Sequence, residues 1–305
     1  MGFLLDLATR AMEARSVEAL PSGDGWRFEP KWDGFRCLAF KAGGIVELRA
    51  KSGKSLSRYF PEMVAALSKA SVEDCVLDGE LTIPRGTTLS FGALQDRVHP
   101  AESRIRKLSA ETPGLLVLFD CLASASAGRL LDAPLTARRA DLERLCAGLG
   151  EEARTRLSPF TSDRGRAALW LDAGREALDG VIAKRADGAY EQGARAMMKL
   201  KRIRSADCVV GGFRYAQQTE LVGSLLLGLF DGEGRLDHVG FTSAIAHAER
   251  PALTARLDAL RGGVGFTGDA PGGPSRWSNE RSAAWVPLRP ELVVEVGYDQ
   301  VTDGR

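Results

Sequence analysis

Glu29-Pro30-Lys31-Trp32-Asp33-Gly34-Phe35-Arg36 sets a lysine between a glutamate and an Asp-Gly pair, with an arginine five positions on. A lysine amine attacks only when deprotonated, and a free one, with a pKa of roughly 10.4, is almost wholly protonated at neutral pH. Burial or a neighbouring cation must lower that value before Lys31 can act as a nucleophile. Arg36, always charged, can supply such a field and hold a phosphate or ribose oxygen. Asp33-Gly34 is a turn signal that would leave the amine facing a cleft. Taken alone, the octapeptide reads equally well as a solvated lysine before an ordinary turn.

Four further stretches follow in order: Val76-Leu77-Asp78-Gly79-Glu80-Leu81, Leu118-Phe119-Asp120, Leu178-Asp179-Gly180-Val181-Ile182-Ala183-Lys184 and Lys199-Leu200-Lys201. Each has a plain reading by itself. Asp78 and Glu80 could be the solvated face of a strand, Phe119 a core residue, and the lysine pair a linker. Together they resemble the ordered motifs of ATP-dependent DNA ligases and mRNA capping enzymes. These are the nucleotidyl-lysine motif KxDGxR, the DGE strand, the aromatic stacking motif, EGVIAK and KxK. The spelling most resembles bacterial ligases of the end-joining and repair type, ligase C and the ligase domain of ligase D.

The 305 residues suffice for two domains with proper cores. A hydrophobic share of 44% and a charged share of 27% fit an ordinary soluble protein. With a net charge of +1, binding to nucleic acid must come from a local basic face. Five scattered cysteines without CxxC spacing argue against a disulfide framework or a structural zinc site, and for a reducing cytosol. No basic start marks a signal peptide, and no apolar run reaches the ~20 residues that cross a membrane. The expected location is the cytoplasm of a bacterium, with work at the nucleoid.

Along the chain, residues 26–30 read as a strand delivering Lys31 to a loop, and 36–40 as the strand leaving it. Strands are expected at 45–49, 75–83, 115–121, 157–161 and 180–184, and helices at 61–70 and 135–149. Residues 91–105 look helical with a break at Pro100. Beyond a boundary near 201–206 the pattern changes to short strands at 208–215, 222–230, 235–242 and 291–298, with a helix at 251–260 and a glycine-rich stretch at 262–273. Five-stranded Greek-key barrels have this look.

The resemblance implies an α+β nucleotidyltransferase (adenylation) domain with antiparallel sheets and helices over residues 1–202. A small all-β OB-fold barrel over 203–305 would follow, joined by a hinge and cut short at its C-terminal end. It implies that Lys31 attacks ATP and carries AMP, with Lys199 and Lys201 as further catalytic lysines on the phosphate. Residues two apart on a regular strand are here expected on opposite faces, so a twist or loop edge would be needed to bring that pair together. Glu29 is expected at the adenine edge, Phe119 on the base, Arg36 and Lys184 on the nucleotide, and Glu80 on the ribose or a metal. Magnesium or manganese would sit near Glu80 and Asp179. DNA contact is expected from Lys51, Lys54, Arg58 and Arg97, the last within a basic stretch reaching Lys107. The implied partners are nicked duplex DNA and other repair or end-joining proteins, and the chain is expected to be a monomer.

Three features depart from the family pattern. Asp179 stands in place of glutamate, one methylene shorter. Lys51 stands in place of arginine, replacing a bidentate clamp by a point charge. The family's last basic strand would be expected just past Arg305, so the chain is expected to adenylate itself poorly while still sealing a pre-adenylated nick. An RNA ligase, a capping-type guanylyltransferase using GTP, and a non-catalytic DNA-binding protein remain alternatives.

Overall fold

Strand β1 (Ala14–Ser16) precedes β2 (Trp26–Trp32), and β2 turns at Asp33-Gly34 into β3 (Phe35–Ala42). Lys31 therefore lies within β2, paired with Gly180, rather than on the loop after it. Gly34 is required at the turn because a Cβ there would run into the Leu81 carbonyl oxygen. The structure is a computed structural model describing residues 2–86, 88–172, 178–202, 204–271 and 284–298. It divides into two compact units, Met1–Arg202 and Ile203–Arg305.

In the first unit β4 (Ile45–Ala50) leads to α1 (Pro61–Lys69) and β5 (Cys75–Thr82). The small hairpin β6 (Pro84–Arg85) and β7 (Thr88–Leu89) is followed by α2 (Phe91–Asp96) and α3 (Glu102–Glu111). Then come β8 (Leu115–Ser124), β9 (Gly128–Arg129), α4 (Leu135–Leu149), β10 (Thr155–Leu157), α5 (Arg164–Asp172), β11 (Leu178–Arg185) and β12 (Met197–Lys201). Proline explains two of these boundaries. Pro61 opens α1, where a missing N–H costs nothing, and Pro100 divides the expected helix at 91–105 into α2 and α3. The strand expected at 157–161 instead ends at Leu157, two residues before Pro159.

Two sheets result. One runs β1-β12-β11-β2, and the other β10-β8-β5-β3-β4 with β9 beside β8. Their apolar faces set the layering. Phe28, Val181 and Ala183 of the first sheet bury against Ala167 of α5. Leu38, Phe40 and Val76 of the second cluster with Met197 of the first. On the outer side of the second sheet, Cys37, Leu77 and Leu118 pack with Met63 and Leu67 of α1 and Leu142 and Leu145 of α4. Fully burying each such Leu, Met or Phe contributes roughly 1.5–3 kcal/mol. The order is α5, sheet, sheet, α1 with α4, and the inner gap between the sheets is the one lined with charge.

Two expectations fail here for identifiable reasons. Lys199 and Lys201 share a face of β12, because alternation in a strand has a period of two and residues i and i+2 point the same way; no twist is needed. Arg97 is no surface residue for DNA. It is fully buried, pairs through both terminal nitrogens with Glu62 at 2.8 Å, and donates to the Tyr59 and Thr112 carbonyls. Its guanidinium lies 4.6 Å from the Phe60 ring. The basic run it opened reads as exposed from sequence because charge alone does not reveal a buried carboxylate partner. The rest of that run, Arg104, Arg106 and Lys107, is exposed but paired with Asp96, Glu102 and Glu111.

The second unit is antiparallel throughout its described strands: β13 (Arg204–Tyr215), β14 (Val222–Phe230), β15 (Leu236–Thr242), β16 (Val286–Pro287) and β17 (Val293–Tyr298), with α6 (Arg250–Asp258) between β15 and β16. The long β13 pairs with β14 along one edge and with β17 and then β16 along the other. Cys208, Val210, Phe213, Val222 and Leu225 form its core with Leu257 of α6. The expected small all-β domain is present. The end of the glycine-rich stretch, residue 203 of the expected hinge, and residues 299–305 with the expectation attached to the chain's end lie outside the described residues. No helix among those described is long and apolar enough to cross a membrane.

Candidate functional site

Strand register builds the site one row at a time. Glu29 on β2 pairs with Ile182 on β11, Ile182 with Lys199 on β12, and Lys199 with Ser16 on β1. In the next row Lys31 pairs with Gly180 and Gly180 with Lys201. Residues opposite one another share a face. Glu29, Ile182, Lys199, Lys31 and Lys201 therefore occupy one face of the first sheet, the face turned toward the second.

Asp179 reaches this face through a defect in the ladder. The register between β2 and β11 shifts between Leu178 and Gly180, and Gly180 has a φ of 145°. A Cβ on Gly180 would strike the Leu200 carbonyl oxygen, so no other residue fits. The bulge re-aims Asp179. Its Oδ2 accepts from Lys31 Nζ at 2.5 Å and lies 3.4 Å from Lys201 Nζ. The shorter acid in place of the family's glutamate thus holds two of the three lysines.

The facing wall comes from Arg36 on β3, Glu80 on β5 and Phe119 on β8, which with Lys31, Ile182 and Lys199 line a cavity of about 630 Å³. Arg36 donates from Nε and Nη2 to the two oxygens of Asp78, both at 2.6 Å, so most of its fork is committed to the protein. Asp78 is fully buried and not part of a solvated strand face. The Arg36 and Lys184 cations each lie 4.7 Å from the centre of the Phe119 ring. Lys184 forms a buried ion pair with Glu29 at 2.9 Å, and its Nζ is 4.0 Å from Asp120. Burial raises the Glu29 carboxyl above its ordinary value against the pull of Lys184. The Lys199 amine is lowered, first by burial and then by repulsion from Lys201, Lys31, Lys51 and Arg195. Excess positive charge of this kind suits a polyphosphate.

Burial pushes Glu80 up to about 7, although Arg36 and Lys31 pull the other way. Its folded value lies above the ordinary 4.5, so the fold holds a proton that the unfolded chain releases between the two. The associated stability is complete below the lower value and is lost as pH rises through the upper one. Glu80→Gln should therefore melt at a higher temperature than the unsubstituted protein at pH 8, with the difference vanishing near pH 4. Lower stability of the variant at pH 8 would contradict this placement.

Among the described residues no group of three or more His, Cys, Asp or Glu side chains converges as a metal cage. A magnesium-type ion bound through one carboxylate and substrate phosphates needs no such cage, and Glu80 on the cavity wall fits that arrangement. Of the residues expected to meet DNA, Lys51 pairs with Glu13 at 2.9 Å on the cavity rim, while Lys54 and Arg58 are exposed on the segment after β4. Arg58 donates to the Pro100 carbonyl.

Sequence reasoning missed several cavity residues. Ile182 was legible in principle, since alternation along β11 puts it on the face of Gly180 and Lys184. Met12, Glu13 and Arg195 had no motif to mark them, and the first two reach the cavity on the segment that leads into β1 and its pairing with β12.

Known proteins are similar to this chain in sequence and in fold. Residues 7–201 match the family described as ATP dependent DNA ligase domain, and residues 218–305 match ATP dependent DNA ligase C terminal region. DNA ligase C1 of Mycolicibacterium smegmatis is 41% identical over 95% of this chain and 83% of its own length. DNA ligase C of Mycobacterium tuberculosis is 40% identical over 96% and 86%. Among solved structures, the ligase domain from M. tuberculosis LigD superposes with a TM-score of 0.54 at 26% identity, covering 98% of this chain and 92% of that one. A mycobacterial DNA ligase D complexed with ATP and MES gives 0.55 at 27% identity, covering 98% and 91%.

Proposed function

The chain belongs to the ATP-dependent DNA ligases, an adenylation domain followed by an OB-fold domain, and from that premise we propose that Lys31 is its nucleotidyl lysine. The observation that carries this reading is the convergence of Lys31, Lys199 and Lys201 on one sheet face, opposite Arg36, Glu80 and Phe119. In the first step Lys31 Nζ attacks the α-phosphorus of ATP. A P–N bond forms, the bond from that phosphorus to the pyrophosphate oxygen breaks, and the proton that the nitrogen loses passes to Asp179, whose Oδ2 accepts from Lys31 Nζ. Phosphoryl-type transfer gains little from covalent help, so positioning and charge stabilisation carry it. Asp179 fixes the amine by its hydrogen bond, and Lys199 and Lys201 face the charge that develops on the phosphate.

Phe119 and Ile182, one from each sheet, enclose the base. The Glu29 carboxylate suits the amino group of adenine and would meet the O6 acceptor of guanine unfavourably, which favours ATP over GTP and separates this site from a capping enzyme. A magnesium or manganese ion at Glu80 would supply charge neutralisation on the phosphates. In the later steps AMP passes to a DNA 5′-phosphate, and the 3′-hydroxyl of the nick displaces it. Lys51, Lys54 and Arg58 would hold the duplex through its backbone, which suits a nick of any sequence. Nicked duplex DNA is the partner this reading requires, with repair as the setting in the bacterial cytoplasm.

The test uses the purified protein with α-labelled ATP, a divalent cation and a nicked duplex. Label should appear on the protein, pass to the DNA 5′ end, and leave as AMP when the nick closes. Labelled protein that never delivers AMP to the nick would overturn the ligase reading of the site.

A further inference from the structure

One buried hydroxyl closes a ring of hydrogen bonds behind the nucleotide cavity. Tyr190 lies between β11 and β12, 4% exposed, its backbone N–H donating to the Leu131 carbonyl at 2.8 Å. Its Oη donates to Asp78 Oδ2 at 2.6 Å and accepts from the Met12 N–H at 3.0 Å. Asp78 accepts from Arg36 Nε and Nη2, and Nη2 also donates to the Met12 carbonyl at 3.3 Å. The circuit therefore runs from the Met12 N–H through Tyr190, Asp78 and Arg36 back to the Met12 carbonyl. Met12 and Arg36 both line the cavity, and Tyr190 does not.

We propose that Tyr190 is a positioning residue for ATP: its hydroxyl seats the segment Ala11–Ser16 as a wall of the cavity and steadies the carboxylate that orients Arg36. Arg36 keeps its two bonds to Asp78 without Tyr190. The Met12 N–H has no other partner among the described contacts, and a buried unmet donor costs roughly 1–3 kcal/mol, which relocating the segment would relieve. The wall would move away from the nucleotide while Lys31 on β2 and Asp179 on β11, separated from β1 in the same sheet by β12, stay in place. Tyr190 thus acts on binding of the nucleotide more than on the attack. Burial and Asp78 both raise the phenol well above its ordinary value, so the hydroxyl remains a donor across the working range of pH.

This inference rests on the proposed nucleotide site, and Tyr190→Phe tests it in the whole chain. The expected result is a KM for ATP in self-adenylation raised about tenfold, with the rate at saturating ATP within twofold of the parent. Hydrogen exchange should show the Met12 amide losing protection while β3, β5 and β8 keep theirs. A merely structural role would instead lower the fraction of active protein and leave KM unchanged, and an unchanged KM overturns the proposal. If Tyr190→Phe does not fold, hydrogen exchange of the parent protein provides the second test: the Met12 amide, held by the buried Tyr190 hydroxyl, should be strongly protected and become more so with ATP, and open-chain exchange at Met12 overturns the proposal. A parent protein that takes no label from ATP would point instead to failure of the nucleotide site itself.

Discussion

Lys31→Arg is expected to abolish ATP-dependent nick sealing, by on the order of 10⁴-fold or more, as loss of a covalent nucleophile does elsewhere. Arginine is the informative replacement because it keeps the positive charge and can still meet Asp179, whose Oδ2 accepts from Lys31. What it removes is an amine that can lose its proton, since a guanidinium stays charged under all ordinary conditions. The fold should therefore persist while the first chemical step stops. Sealing of a pre-adenylated nick needs no new bond to residue 31 and should remain within about tenfold of the parent. If the two reactions fell together, Lys31 would be organising the pocket rather than carrying AMP.

The second large effect is on stability. Arg138 and Asp120 are each 1% exposed and paired at 2.7 Å, and Arg138 also donates to the Ala133 and Gly188 carbonyls. Arg138→Met would leave the Asp120 carboxylate buried with the Cys121 backbone N–H donating to Oδ1 and Lys184 at 4.0 Å. Removing one partner of a buried pair costs about 3–5 kcal/mol. For a unit of this size that corresponds to a fall in Tm on the order of 10 °C. Lys184 would be drawn toward Asp120 and away from Glu29, so discrimination of ATP from GTP should weaken in the same variant. Thermal unfolding and self-adenylation with each nucleotide check both parts. A stable variant would mean that the Asp120 carboxylate finds another partner or reaches water.

The strand leading to Lys31 and the turn after it were legible because local chemistry decides them, though not that the strand runs on through Lys31; the split into an adenylation and a barrel domain was legible from the change of pattern beyond 201–206 together with the family resemblance. Asp33-Gly34 is a strong turn signal, and alternation in β5 and β11 marks strands with one apolar and one polar face, although β5 proves buried on both. The motif residues are brought together by the fold, Glu29 pairing with Lys184 and Lys31 sharing a sheet face with Lys199 across β11. Arg97 was misread because burial depends on Glu62, thirty-five positions earlier in the chain, which no local pattern reveals. Tyr190 was invisible for the same reason, its partners Asp78 and Met12 lying far away in sequence. The bulge at Gly180 shows the opposite case. LDGVIAK reads as a plain strand, yet the one glycine that tolerates its backbone angle turns Asp179 to the lysines.

The most direct measurement is mass spectrometry of the peptide containing Lys31, from protein incubated with ATP and magnesium. One added adenylate is expected on that lysine, removed by pyrophosphate and discharged on addition of nicked DNA. An adenylate found on Lys199 or Lys201, or none at Lys31 in protein that seals nicks with ATP, would contradict it.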